Sequence, residues 1–239
     1  MEKTRGLLET LWESGDYADM VLVSTEKTYR AHRAVVCLQS PVISKDCVSN
    51  TINTNWIKPN NFGVSYATTI SFTFGSDDSR SVDCIIQYFY LSDYDIPRSI
   101  PATGDEPVVV AKDDPSNSAT GDTTSDDSCL VTHVKVFALA GKYDVPHLRM
   151  LSLNKFEAAA RLHWKSKYLV EAAREAYTST VSDMQDMRTA VIKIIYTQQE
   201  LMDEKHIQDL LMGVPRISYD LNMYFHSIVT PYSRPLLFR

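Results

Sequence analysis

Apolar positions change their period twice in the first fifty residues. Leu7, Leu8, Leu11 and Trp12 recur at helical spacing, and Gly15 stands where such a helix would stop, so residues 1–15 are predicted to form an amphipathic helix. Asp19 to Ser24 is a short β-branched and apolar run. Thr25-Glu26-Lys27 breaks it, and Thr28 to His32 returns as a second strand, which makes a hairpin. From Arg33 onward, Ala34, Val35 and Leu38, then Val42 and Ile43, follow helical spacing. Ser40-Pro41 marks where one helix ends and the next begins at its first turn.

Periodicity then fails between Cys47 and Val64, a polar stretch with five asparagines, Asn50, Asn53, Asn55, Asn60 and Asn61, which reads as a loop anchored by Trp56 and Phe62. Thr68 to Phe74 alternates Thr69, Ser71 and Thr73 against Ile70, Phe72 and Phe74, a half-buried strand expected to join the hairpin's sheet. Gly75 to Ser79 turns the chain and offers helix caps. Val82, Ile85, Ile86, Phe89 and Tyr90 then form one broad apolar stripe, the signature of a core helix. From about 97 to 129 the chain is rich in Pro, Ser, Thr and Asp, and only Val108-Val109-Val110 could make a strand, so an acidic disordered insertion is expected. Two helices should follow, His133 to Tyr143 and Pro146 to Trp164, with Asp144 and Pro146 starting the second. Beyond Lys165, stripes through Leu169, Ala172, Ala176, Val191, Ile195, Leu201, Ile207 and Leu210 predict two to four further helices, and Pro231 to Arg239 is irregular but apolar.

Composition narrows the function. With 24 Lys and Arg against 30 Asp and Glu, the net charge of -6 offers no basic stripe for phosphates, so nucleic acid is not an expected partner. No apolar run approaches the length that spans a bilayer, and the acidic residues near Met1 do not suit a signal peptide, so no membrane partner is expected and the protein is placed inside the cell, in cytoplasm or nucleus. Cys37, Cys47, Cys84 and Cys129 are widely spaced with no Cys-x-x-Cys pair, which predicts inert thiols and no metal ligand set. No nucleophile elbow, phosphate loop, zinc-protease or dinucleotide fingerprint is present, so an enzyme is not expected, and neither a catalytic residue nor a cofactor is assigned.

Three runs in order carry a resemblance. Ala18-Asp19-Met20-Val21-Leu22-Val23 with Tyr29-Arg30-Ala31-His32-Arg33-Ala34-Val35-Val36 and Ser40-Pro41-Val42-Ile43 resembles the opening of the BTB/POZ domain. Tyr88-Phe89-Tyr90-Leu91-Ser92-Asp93-Tyr94 is similar to a run found in many fungal BTB proteins, which suggests the filamentous-fungal type. Val136 to Leu148 resembles the closing helices of the same group. The resemblance implies an α+β architecture: a BTB/POZ fold, with a small sheet of about three to five strands flanked by helices, over residues 16–164, then an all-helical C-terminal extension over 165–239.

It also implies a function: a protein-protein interaction module that self-associates as a homodimer. Asp19 and Arg33 match the acidic and basic residues of the family's charged pocket, and the helix of Leu7, Leu8, Leu11 and Trp12 matches one that packs across the dimer in many members. The same residues fit two plainer roles, a fold-orienting ion pair and a helix folded back on its own core. A substrate adaptor of a cullin-based ubiquitin ligase is the further expectation, although residues 90–101 contain no Glu where cullin-binding members carry a hydrophobic-x-Glu motif. A transcriptional or signalling scaffold without cullin binding is the alternative.

Overall fold

The computed structural model describes residues 2–49, 70–96, 127–179 and 184–229. The Asn-rich loop with Trp56 and Phe62, most of the acidic insertion with its Val108-Val109-Val110 run, and the apolar end after Val229 lie outside the described residues.

Helix α1 (Glu2–Ser14) ends at Gly15, whose φ of 62° lets its N–H bond the Leu11 carbonyl; a side chain there would be strained by that backbone. The hairpin follows as β1 (Met20–Val23) and β2 (Thr28–Ala31), antiparallel, with Met20 opposite Ala31 and Val23 opposite Thr28. Ser24 stabilises the turn, its Oγ accepting from the Lys27 N–H at 3.0 Å. Strand β3 (Ile70–Thr73) pairs parallel to β1, so the order is β2-β1-β3 and the crossover passes through α2 (Arg33–Gln39) and α3 (Pro41–Ser49). Met20, Leu22, Ile70 and Phe72 face inward while Ser71 and Thr73 face water, as the alternation predicts.

Helix α4 (Ser79–Leu91) is capped by Asp78, whose carboxylate accepts from the Ser81 N–H at 3.0 Å. Its predicted stripe, Val82, Ile85, Ile86, Phe89 and Tyr90, is wholly buried. Helix α5 spans Cys129–Lys142. It starts four residues earlier than the periodicity suggests, because Leu130 is a core residue and Cys129 is already helical rather than the end of the insertion. Helix α6 is Pro146–Leu162. Asp144 does not start it. With φ of 53°, Asp144 occupies the left-handed position that closes α5, where the Asp144 and Val145 N–H groups return to the Gly141 and Ala140 carbonyls.

Four more α-helices follow, α7 (Lys167–Thr178), α8 (Gln185–Thr197), α9 (Lys205–Gly213) and α10 (Pro215–Val229), with a short 3-10 turn at Gln199–Asp203. The molecule thus combines a three-stranded mixed sheet with helices and a helical C-terminal region. Two apolar cores result, and α5 belongs to both. Val136, Leu139 and Ala140 join the sheet's core, while Leu130, Val134 and Phe137 join Phe156, Ala160 and the inward side chains of α7 to α10. The second core therefore starts on α5 and α6, upstream of residue 165.

Candidate interaction surface

The chain entering β1, the start of α2 and the end of α4 meet at one polar knot. Tyr90, buried at the end of the α4 stripe, accepts the His32 backbone N–H at 3.0 Å and lies 2.9 Å from His32 Nδ1. His32 Nε2 is 2.6 Å from the Asp16 carbonyl. A carbonyl can only accept, so Nε2 carries the ring proton and Nδ1 accepts from the Tyr90 hydroxyl. Every polar atom of the knot is then satisfied, which is what burial requires. Burial holds the Tyr90 phenol above its ordinary pKa.

On this knot rests α1. Trp12 stacks on Tyr90 with ring centroids 6.1 Å apart, and Leu8 packs beside it. Leu11 is half-buried and Leu7 is 61% exposed. Of the four residues assigned to the helix, two therefore fold back on the chain's own core and Leu7 faces out.

Asp19 and Arg33 also meet here. The Asp19 carboxylate accepts the backbone N–H of Arg33 at 2.8 Å, and among the described residues the Arg33 guanidinium makes no ion pair with it. Asp19 thus fills the role of a cap for α2, whose own N-cap residue, His32, supplies no side-chain cap because its ring is committed to Tyr90 and Asp16.

One residue of this face was not legible from spacing. Tyr17 is 90% exposed and holds φ at 61°, a conformation unfavourable for a side chain of its size. Its place in the break between Gly15-Asp16 and Ala18-Asp19, with only Gly15 and Asp19 at strand spacing, is the signal that could have marked it as outward. On α2, Ala34 is exposed and Leu38 is 84% exposed, one helical turn apart.

Elsewhere polar contacts are structural. Lys135 pairs with Asp78 at 2.8 Å and Lys142 with Asp77 at 2.6 Å, tying α5 to the turn before α4, while Lys27 pairs with Asp83 at 2.7 Å. Burial is the main cause that pushes the Cys47 and Cys84 thiols up to about 12, so neither is a thiolate near neutrality. Among the described residues, no group of three or more His, Cys, Asp or Glu is placed to hold a metal, and no described helix is long and apolar enough to cross a membrane.

Residues 8–100 match the family model of the BTB/POZ domain. The match takes in the second half of α1, the whole sheet, α2, α3 and α4, and therefore the Tyr90 knot and the exposed face above it. No curated protein matches the chain. A BTB/POZ domain marks a protein-protein interaction module, and the architecture here is the BTB/POZ fold carrying a helical extension.

Proposed function

We propose that this protein self-associates through its BTB/POZ domain as a homodimer, using the face built by the outer side of α1, Tyr17 and the start of α2. The observation that carries the reading is Tyr17, a large aromatic side chain held 90% exposed on strained backbone, with the next residue back, Asp16, tied by its carbonyl into the His32-Tyr90 knot. Strain and exposure of this kind persist where surrounding structure enforces them, and they concentrate at functional sites. An aromatic anchor on a rigid base is what a stable interface uses. Arg33, not consumed by Asp19, offers the charged group of the pocket that the family resemblance assigns to these two positions.

The dimer should bury on the order of 1,200–2,000 Å² in total. Within the cell, in cytoplasm or nucleus, the helical extension then presents a second surface for another protein. Recruitment of a cullin to make a ubiquitin ligase adaptor, and a transcriptional or signalling scaffold that ignores cullin, are the two pathways open to such a module, and kinship with filamentous-fungal members rests on the Tyr88 to Tyr94 run. Light scattering behind size exclusion, on the protein alone and mixed with a cullin N-terminal domain, tests the reading. A dimer is expected. A monomer at high micromolar concentration overturns self-association, and co-elution or its absence separates the adaptor from the scaffold.

A further inference from the structure

Cys37 and Cys47 lie near the ends of α2 and α3, ten positions apart in the sequence, and neither is bridged. The fold brings them together: Cys37 packs against the core that contains Cys47, and the two thiols are near enough to share a hydrogen bond. Their corner is pinned. Ser40 is fully buried between the two helices, its hydroxyl accepting the Ile43 N–H at 3.2 Å and donating to the Tyr143 carbonyl at 2.6 Å. Beside it, the Gln39 amide donates to the Phe89 carbonyl at 2.7 Å.

Access separates the two sulfurs. Cys47 is fully buried, whereas Cys37 is half-buried and shares a face of α2 with Arg33, one turn earlier. Burial first, then the neighbouring Cys37, holds the Cys47 thiol up at about 12, while the Arg33 guanidinium acts in the opposite sense. Arg33 Nε is buried and bonds nothing among the described residues, which leaves a cationic N–H donor close to the pair. A partly open thiol in electropositive surroundings is the kind that oxidants reach.

We infer that Cys37 and Cys47 are a paired oxidation site, which hydrogen peroxide converts to an intramolecular disulfide across the α2–α3 corner. Cys37 attacks first, as its thiolate: the peroxide O–O bond breaks, an S–O bond forms, and the departing hydroxide takes up the thiol's proton as water, leaving a sulfenic acid. Cys47 then attacks that sulfur. The S–S bond forms, the S–O bond breaks, and the Cys47 proton leaves with the hydroxyl as a second water, so two thiols are oxidised and one peroxide is reduced. Because Cys47 holds its proton tightly, the second step is the slower and the sulfenic acid accumulates before the bridge.

The test is non-reducing peptide mapping by mass spectrometry of the full natural chain after stepwise hydrogen peroxide, with dimedone present in a parallel series to trap sulfenic acid. A single cross-linked product joining the Cys37 and Cys47 peptides, reversed by dithiothreitol, is expected, with dimedone on Cys37 at early times. In Cys47→Ser the dimedone adduct on Cys37 should persist, and in Cys37→Ser the buried Cys47 should stay unmodified. The natural chain decides the matter even where a variant fails to fold. Oxidation that leaves Cys37 and Cys47 unbridged overturns the inference, as does a bridge to Cys84, to Cys129 or between two chains.

Discussion

Around the sheet, the large buried side chains are Phe72, Phe74, Tyr88, Phe89, Tyr90, Tyr94 and Tyr143, and several carry polar tips tied to partners far along the chain. Tyr90 reaches His32, Tyr94 reaches His133 at 2.8 Å, Tyr143 reaches Asp77 at 2.5 Å, and Tyr29 donates to Asp83. Among the C-terminal helices the inward positions include Ala160, Ala172, Ala173, Ala176 and Ala190, packed with Met184, Met187, Val191 and Ile195. The first core is specified by directional bonds between residues 39 to 66 positions apart. The second relies on small side chains that let neighbouring helices approach. A mixed sheet with a parallel crossover has many wrong pairings to exclude, and hydrogen-bonded aromatic tips exclude them, whereas helices joined by short connections find their neighbours locally. Helix α5 serves both cores, so the two should stand or fall together.

The sharpest way to break that coupling is Phe137→Ala on the extension-facing side of α5, beneath Arg149, whose guanidinium sits 4.7 Å from the ring centroid. Truncating a buried phenylalanine costs about 3–5 kcal/mol, and we expect sheet and extension to melt in one earlier transition by circular dichroism and calorimetry. Two separated transitions would show that α5 does not couple them.

Acid should act next, and through the sheet side. His133 is buried against Tyr94, and its pKa is pushed down to about 4, first by burial and then by the Lys155 ammonium. The folded chain therefore resists a proton that the unfolded chain takes up near pH 6.5. This contribution is complete above about pH 6.5 and drains as pH falls toward 4, amounting to about 3 kcal/mol. Urea midpoints measured at pH 7 and 4.5 should differ accordingly, and His133→Asn should flatten the difference.

Tyr90→Phe keeps the ring under Trp12 but strands the His32 N–H and Nδ1, so it should cost about 1–3 kcal/mol. An alanine at an inward extension site such as Ala173 has no such tip to lose. The smallest effect concerns Asp19. As a cap for α2, it should tolerate Asp19→Asn almost unchanged, while Asp19→Ala costs about 1 kcal/mol. An equal loss in both variants by denaturant titration would point to a role for its charge.

Much of this was legible from periodicity, because a helix or strand that buries one face writes that face into the spacing of its residues. The hairpin, the Ser40-Pro41 junction, β3 and the α4 stripe all follow from such spacing. What spacing cannot carry is partnership across the fold. Nothing near Asp19 says that its carboxylate takes the Arg33 N–H rather than the guanidinium, since that depends on His32 being occupied by Tyr90, 58 residues away. Asp144 reads as a helix starter from its neighbour Pro146, yet the preceding helix claims it as a left-handed stop. The early start of α5 is invisible for a similar reason: Cys129 and Leu130 adjoin an acidic stretch, and only burial in the second core explains their helix.

Self-association through the exposed face above the Tyr90 knot is open to sedimentation equilibrium of the natural chain beside Tyr17→Asp, from low to high micromolar concentration. A species of twice 27.1 kDa is expected for the natural chain, with a shift toward 27.1 kDa for the variant. A natural chain that stays at 27.1 kDa at the highest concentration, or a dimer indifferent to Tyr17→Asp, would contradict it.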